Sequence, residues 1–289
     1  MDSQVLTLDL KSWSVTSPEN RWIAALESGK VLFFPRLAFS LSRQEQALLR
    51  PELLEASARN ISLDAQGRLK GVAGNDAVQA AIKAMMARFA TDARSLVESA
   101  FPAYVPHLRA APTSLRPTQV SSRRQSVRAD DRRLHVDAFP SRPNRGERIL
   151  RVFANVNPQG EARVWRVGEP FVDAAKRFLP RAKKYSPWQA KVLHTLGITK
   201  SLRSEYDHLM LQLHDAMKAD EAYQRDAPQV KVAFPPGSCW VCFSDQTLHA
   251  AMSGQHMLEQ TFHLPVANQY NPGASPLAIL GRLAGHPLT

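Results

Sequence analysis

The chain has 289 residues, of which 44% are hydrophobic and 22% are charged. This is ordinary globular usage, and it excludes a wholly disordered or fibrous protein. Lys and Arg outnumber Asp and Glu by 37 to 26, a formal charge of +11. An anionic partner is therefore expected, and nucleic acid, phosphorylated lipid and acidic sugars all qualify.

Targeting features are few. No run of about 18 apolar residues is present to span a bilayer. The N-terminus has neither a basic start nor an apolar core, so no secretory signal is predicted. Two cysteines cannot build a disulfide framework, which fits a reducing compartment. These features predict a cytoplasmic protein.

The first hundred residues predict a mixed α/β region. Ser17 can cap a helix with Pro18 at its first position, and Gly29 ends it. Residues 31–34 are a short apolar run of strand formers. Residues 76–100 carry apolar side chains at helical spacing, which predicts a long helix packed on a core. We predict that residues 1–107 form a region supporting the core.

The next part of the chain changes from polar to strand-like. Residues 109–133 are basic and contain Pro112 and Pro117, which predicts loop or edge structure. Alternating, β-branched stretches then predict strands. These stretches are residues 134–137, 148–157 and 161–167.

A helical insertion, residues 171–226, separates those strands from three further short β candidates. The later candidates are residues 230–234, 238–243 and 257–264. Short, turn-bounded strands on both sides of a helical insertion predict an α+β protein with a jelly-roll core and helices packed outside it. We predict one domain over residues 1–289, with the core at 108–270 and a tail at 271–289.

His135 and Asp137 are the sharpest chemical feature. On a strand, residues i and i+2 point to the same face and can bind one ion. His249, in the second β block, is the predicted third ligand, and His256 and His263 are the alternatives. Two His and one carboxylate form the facial triad of non-haem Fe(II), which leaves coordination positions open. Zinc would be expected in a four-coordinate site.

The order of these features resembles the Fe(II)- and 2-oxoglutarate-dependent dioxygenases, whose core is a double-stranded β-helix. The resemblance covers residues 134–266, and the run VLFFPRL at residues 31–37 is similar to the strand that precedes their core. It implies Fe(II) as cofactor, 2-oxoglutarate as co-substrate and O2 as oxidant.

The same resemblance implies a cation for the distal carboxylate of 2-oxoglutarate. Most members place it on the strand after the distal His, where this chain has Gln260, which can hydrogen-bond but carries no charge. Some members place it on the strand after the HxD motif, where Arg151 lies on one face with Phe153 and Asn155. We predict that Arg151 binds the co-substrate, assisted by Gln260 and Asn155. The alternative is that Arg151 pairs with Glu161 or faces water.

A longer stretch, LHVDAFPSRPNRGERILRVFANVNP at residues 134–158, resembles the family of 3-deoxy-D-manno-octulosonic acid (Kdo) hydroxylases. The segments AFPSRP and RVFANVNP carry this resemblance. It implies hydroxylation at C3 of the Kdo sugar of lipid A and inner-core lipopolysaccharide, with conversion of 2-oxoglutarate to succinate and CO2.

Kdo carries a carboxylate and lipid A carries phosphates, so arginines near the triad are predicted to bind substrate. The candidates are Arg123, Arg124, Arg128, Arg132, Arg133, Arg142, Arg145 and Arg148. A second basic cluster with interleaved apolar residues predicts contact with the anionic cytoplasmic face of a membrane, the alternative being a solvated face. It comprises Arg177, Phe178, Leu179, Arg181, Lys183, Lys184, Tyr185 and Trp188.

Other functions stay open at this point. Another 2-oxoglutarate dioxygenase would act on a different acidic small molecule, lipid or nucleobase. A non-catalytic jelly-roll module would bind anionic glycan or nucleic acid, although no nucleic-acid-binding motif is present and no such partner is expected. Cys239 and Cys242 face opposite sides of a predicted strand and lack a second cysteine pair, so we predict buried thiols and no zinc site.

Overall fold

The structure, a computed structural model, describes residues 3–120 and 126–289. In these ranges the strands are β1 Val5–Thr7, β2 Val31–Phe34, β3 Ile61–Leu63, β4 Leu69–Lys70, β5 Arg109–Arg116, β6 Arg148–Asn155, β7 Arg163–Gly168, β8 Gln229–Phe234, β9 Cys239–Phe243, β10 His249–Ser253 and β11 Met257–Leu264. The α-helices are α1 Asn20–Glu27, α2 Arg43–Gln46, α3 Asp76–Ala100, α4 Phe171–Phe178, α5 Pro187–Thr195, α6 Glu205–Ala219, α7 Glu221–Asp226 and α8 Pro276–Ala284.

Two sheets face each other. In the described chain the large sheet has the order β1-β2-β9-β6-β11-β5-β3-β4, and the small sheet has the order β10-β7-β8. Aromatic rings fill the space between them: Trp240 of the large sheet stacks on Phe234 of the small sheet at 4.2 Å, and Trp165 meets Phe153 edge-on at 5.0 Å. This two-sheet arrangement is the predicted jelly-roll, within an α+β fold.

Helix α3 covers the other side of the large sheet. The Asn75 side chain caps its first turn, and the apolar stripe that predicted this helix is buried, with Ile82 and Phe89 fully covered. Leu150 and Val152 of β6 belong to the same core. The predicted helix over residues 76–100 is confirmed with its bounds.

The helical insertion covers the outer side of the small sheet. Leu213 and Met217 of α6 and Phe178 of α4 pack on Leu134 and Val136, the apolar neighbours of the HxD residues. The predicted insertion at residues 171–226 is confirmed as α4 to α7. No helix in the described ranges has both the length and the apolar character required to cross a bilayer.

Three local predictions are wrong, and one strand was missed. Residues 109–116 form β5, an internal strand between β11 and β3, and Pro112 is tolerated because the ladder has a bulge between Gln260 and Phe262. Residues 134–137 make an isolated bridge with β10 instead of a strand. Helix α1 begins at Asn20, with Glu19 at the N-cap position, and not at Pro18 with Ser17 as its cap. Strand β10 was not predicted.

Candidate metal centre and adjoining cavity

His135, Asp137 and His249 converge at one end of the space between the sheets. One donor atom from each lies within 4.8 Å of the other two. Backbone hydrogen bonds bring them together: the His135 N–H donates to the His249 carbonyl at 3.1 Å, the reverse bond is 2.9 Å, and the Asp137 N–H donates to Ser244. Two segments that are more than a hundred residues apart thus meet at this point.

The two imidazoles are oriented by the chain itself. Nδ1 of His135 lies 2.7 Å from the Arg133 carbonyl, and Nδ1 of His249 lies 2.8 Å from the Thr247 carbonyl. Since a carbonyl only accepts, each Nδ1 carries the proton and each Nε2 keeps a free lone pair. Nε2 of His135 is 3.8 Å from the Asp137 carboxylate.

Burial sets the charge of this cluster. It lowers the pKa of both His135 and His249, so both rings are neutral. Burial would raise the pKa of Asp137, but the adjacent Arg151 guanidinium holds it well below its ordinary range. Two neutral imidazoles and one carboxylate are a donor set that fits a divalent first-row metal ion.

A cavity of about 230 Å³ adjoins the cluster. Besides the three candidate ligands, it is lined by aromatic rings that include Trp165 and Phe153, and by an unusual number of charges. Its guanidinium groups belong to Arg59, Arg116, Arg151 and Arg163, and its carboxylates belong to Asp131, Asp137 and Glu259.

Arg151 contacts two of these carboxylates. Its guanidinium lies 3.0 Å from Asp137 and 3.1 Å from Glu259, and Arg116 lies 3.0 Å from Glu259 as well. The alternative partner, Glu161, instead accepts a hydrogen bond from Gln119. Arg151 therefore lines the cavity beside the candidate ligands.

The two residues predicted to assist Arg151 do not reach the cavity. Gln260 pairs with Val152 and so faces the opposite side of the sheet, where its amide binds Thr113 and the Ala111 carbonyl. The Asn155 amide donates to the Phe234 carbonyl at 2.9 Å and tethers β8. The prediction that Gln260 and Asn155 contact the co-substrate is wrong.

Arg148 was predicted to bind substrate, and this prediction is wrong. Its side chain is 0% exposed, with the guanidinium 2.7 Å from Asp245 and 3.9 Å above the Phe243 ring. Gln246 accepts a further hydrogen bond from it at 2.6 Å. Arg148 thus anchors the loop between β9 and His249 from inside the core.

The other predicted substrate arginines lie outside the cavity wall. Arg128 is largely exposed and pairs with Asp215, and Arg133 pairs with Glu221. Arg142 lines a small crevice next to Asp137, and Arg145 is exposed nearby. Arg132 pairs with Asp130, while Arg123 and Arg124 fall outside the described residues.

Several cavity residues were missed. Arg163 and Trp165 alternate on β7, a strand that was predicted, so their shared face was readable from the sequence. Arg59, Arg116 and Glu259 come from segments whose pairing is set by the fold, and no local pattern marks them.

A jelly-roll with a buried His-Asp-His cluster beside a cationic cavity is the architecture of the mononuclear non-haem iron class of proteins. The family model described as 3-deoxy-D-manno-oct-2-ulosonic acid (Kdo) hydroxylase matches residues 10–287. The chain belongs to this family.

Solved structures agree with this assignment. The Kdo hydroxylase KdoO, a non-haem Fe(II) α-ketoglutarate-dependent dioxygenase, has been solved with α-ketoglutarate and Fe(III). It is 44% identical to this chain, with a TM-score of 0.94 over 99% of this chain and 97% of that one. Structures of KdoO with cobalt(II) and with succinate and Fe(III) give TM-scores of 0.96 and 0.94, with the same identity and coverage. No significant match was found among curated proteins.

Proposed function

We propose that this protein is an Fe(II)- and 2-oxoglutarate-dependent hydroxylase of Kdo that acts at C3 of the sugar. In the reaction, 2-oxoglutarate is converted to succinate and CO2, and one oxygen atom of O2 enters the succinate. The other oxygen atom is inserted into the C3–H bond of the sugar, which becomes C3–OH. The observation that carries the proposal is the cluster of two neutral imidazoles and one carboxylate beside a cationic cavity, in a chain of the Kdo hydroxylase family.

His135, Asp137 and His249 would hold the metal. Bound Fe(II) would supply the redox chemistry that dioxygen activation requires and the open positions for co-substrate. The chain supplies the lone pairs: the Arg133 and Thr247 carbonyls fix both tautomers, and burial keeps the rings unprotonated. The ionised Asp137 offsets part of the charge of the ion.

Arg151 is the proposed anchor for the distal carboxylate of 2-oxoglutarate. It projects from β6 of the large sheet into the cavity beside Asp137, and the cavity is also lined by Arg116 and by Arg163 of β7 in the small sheet. Trp165 of β7 lines the cavity as well, and its buried indole N–H has no hydrogen-bond partner among the described residues. A bound carboxylate would satisfy that donor.

The charge balance of the cavity favours an acidic substrate. Four guanidinium groups exceed three carboxylates by one positive charge. A divalent ion and a dicarboxylate cancel each other, so the cavity keeps an excess of positive charge for an acidic substrate. The carboxylate of Kdo suits this excess, and Arg59, which is exposed at the cavity, is the proposed contact.

Two measurements test this function. Anaerobic addition of 2-oxoglutarate to the Fe(II)-loaded protein is expected to produce a metal-to-ligand charge-transfer band. Mass spectrometry of lipid A and core sugar, from cells with and without the protein, is expected to show a gain of one oxygen on Kdo. A band without that gain would favour a different acidic substrate, and no band from a folded protein would favour a non-catalytic binding module.

Contact with a membrane is a separate part of the proposal. In the predicted cluster, Phe178 is buried in the core, Arg177 lies near Glu169 and Arg181 pairs with Asp220. The surface that fits a membrane lies further along, in residues 182–204, which contain five basic residues and no Asp or Glu. This α5 surface exposes Lys183, Lys184, Trp188, Lys191, Leu196, Ile198 and Lys200.

The α5 surface contacts a loop that lines the cavity. The Lys200 N–H donates to the Ser141 carbonyl at 2.8 Å, and the Arg203 side chain donates to the Pro140 carbonyl at 2.7 Å. Both carbonyls belong to the loop after Asp137, whose Phe139 lines the cavity. We propose that the α5 surface binds the anionic membrane that carries the lipid-linked sugar.

Vesicle sedimentation tests the contact. The protein is expected to sediment with phosphatidylglycerol-containing vesicles at low salt and not with phosphatidylcholine vesicles. Trp188→Ser with Lys191→Ser should abolish the binding, whereas the matched control on β8, Val230→Ser with Lys231→Ser, should retain it. Equal binding by both double variants would contradict the assignment of this surface.

A further inference from the structure

The segment that carries His135 and Asp137 has one neighbouring strand, β10, among the described residues. Among the described residues, its β pairing is the bridge between His135 and His249. Adjacent residues of an extended chain direct their backbone groups to opposite edges. The backbone groups of Leu134 therefore point away from β10, toward the helical insertion.

The side chain of Gln224, in α7, meets both of these backbone groups. The Leu134 N–H donates to the Gln224 amide oxygen at 2.7 Å, and the Gln224 amide nitrogen donates to the Leu134 carbonyl at 3.0 Å. The same nitrogen donates to the Met217 carbonyl at 2.8 Å, which ties the segment to α6. One buried side-chain amide thus takes the place of a neighbouring strand.

Further bonds fix Gln224 and the segment relative to each other. The Arg166 guanidinium of β7 donates to the Gln224 carbonyl at 2.9 Å and to the Arg132 carbonyl at 2.8 Å. Lys218, fully buried at the end of α6, donates to the Arg128 carbonyl at 3.0 Å. The helical insertion and β7 are therefore bonded to the segment at Leu134 and at residues that precede it.

We infer that Gln224 is a positioning residue for the metal site, acting through the backbone of Leu134 on the placement of His135. The inference rests on the proposed metal-binding function. Without the Gln224 amide, both backbone groups of Leu134 lose their partners in a buried environment, and relief of that loss requires the segment to move. Movement of Leu134 displaces the His135 ring from His249, whose ring centroid lies 4.7 Å away.

The test is a Co(II) titration of the folded, metal-free protein, followed by the visible absorption of the bound ion. Gln224→Met keeps the length of the side chain and removes all of its hydrogen bonds. We expect its Co(II) Kd to increase about 10- to 100-fold, with altered band positions, as for other residues that orient metal ligands. Gln224→Glu keeps the acceptor for the Leu134 N–H but turns a carboxylate oxygen toward the Leu134 and Met217 carbonyls, which only accept, so its Co(II) Kd should also increase.

Gln260→Met is the matched control. Gln260 is also a buried glutamine with several side-chain hydrogen bonds, but these lie on the opposite face of β11. Its substitution should lower the melting temperature and leave the Co(II) Kd unchanged. If Gln224→Met does not fold, the Co(II) Kd of Gln224→Glu tests the positioning role by itself.

These measurements distinguish failure of the proposed metal site from failure of the positioning role of Gln224. A wild-type protein that binds no Co(II) would overturn the proposed metal site. Normal binding by the wild type, with Gln224→Met and Gln224→Glu lowering the melting temperature and keeping the wild-type Kd and spectrum, would overturn the positioning role alone.

Discussion

Arg148 and Arg151 lie three residues apart on β6 and face opposite sides of the sheet, so the same substitution should have opposite consequences at the two positions. Arg148→Met removes a cation that is fully buried with Asp245 at 2.7 Å and leaves that carboxylate without its charge partner in the core. Loss of one member of a buried pair costs about 3–5 kcal/mol. At about 2 °C per kcal/mol for a chain of this size, the melting temperature should fall by roughly 6–10 °C.

Arg151→Met has a different result because the carboxylates around it keep other partners. Glu259 retains Arg116, and Asp137 is available to a metal ion. The substitution instead weakens the binding of 2-oxoglutarate, since a hydrogen bond to a charged group contributes about 1.5–3 kcal/mol. This corresponds to a 2-oxoglutarate Kd that is about 10- to 150-fold higher.

The assay compares both variants by thermal unfolding and by calorimetric titration of the Co(II)-loaded protein with 2-oxoglutarate. Arg148→Met should lose stability and keep its affinity, and Arg151→Met should do the reverse. Adding Asp245→Asn to Arg148→Met should recover part of the melting temperature, because it removes the unpaired charge. An Arg151→Met variant with wild-type affinity for 2-oxoglutarate would refute the assignment of Arg151.

Three further predictions concern the site and the core. His135→Ala or Asp137→Ala should abolish succinate formation in a chain that still folds by circular dichroism, and retained turnover would contradict the ligand assignment. Burial raises the pKa of Cys239 and Cys242, so neither thiol should react with a disulfide reagent at about pH 8 until denaturant is added; labelling of the native protein would argue against their burial. Burial also lowers the pKa of His256 from its ordinary value of 6.5. As the pH falls through 6.5, the unfolded chain therefore binds more protons than the folded chain. The free energy of unfolding should decrease over this pH range. His256→Asn, which tolerates the backbone φ of 59° at this position, should therefore make the urea midpoint vary less between about pH 7.5 and about pH 5.5.

Local sequence patterns were sufficient to predict an element where one of its faces is buried against the core. The helix over residues 76–100 and the strand β6 were predictable because their apolar residues recur with the period of the element. His135 and Asp137 were found in the same way, since alternation places both on one side of an extended segment.

Predictions failed where the outcome depends on pairing between distant segments. Gln260 stands at the expected distance after His249, but register pairs it with Val152, so its side chain faces away from the cavity. Arg148 was predicted to bind substrate, because its partner in the core, Asp245, lies 97 residues away in the sequence. Arg116 reaches the cavity because β5, interpreted as loop or edge, pairs with β11. No local sequence property encodes these registers.

The two carbonyls that orient the candidate ligands have a consequence for the order of assembly. Each histidine is directed by the carbonyl of the residue two positions before it, so both rings are aimed by short-range bonds. Their orientation is complete before any ion arrives, and binding need not organise the chain around itself. We therefore expect the chain to stay folded when a chelator removes its metal, and to bind the metal again at neutral pH without a folding step.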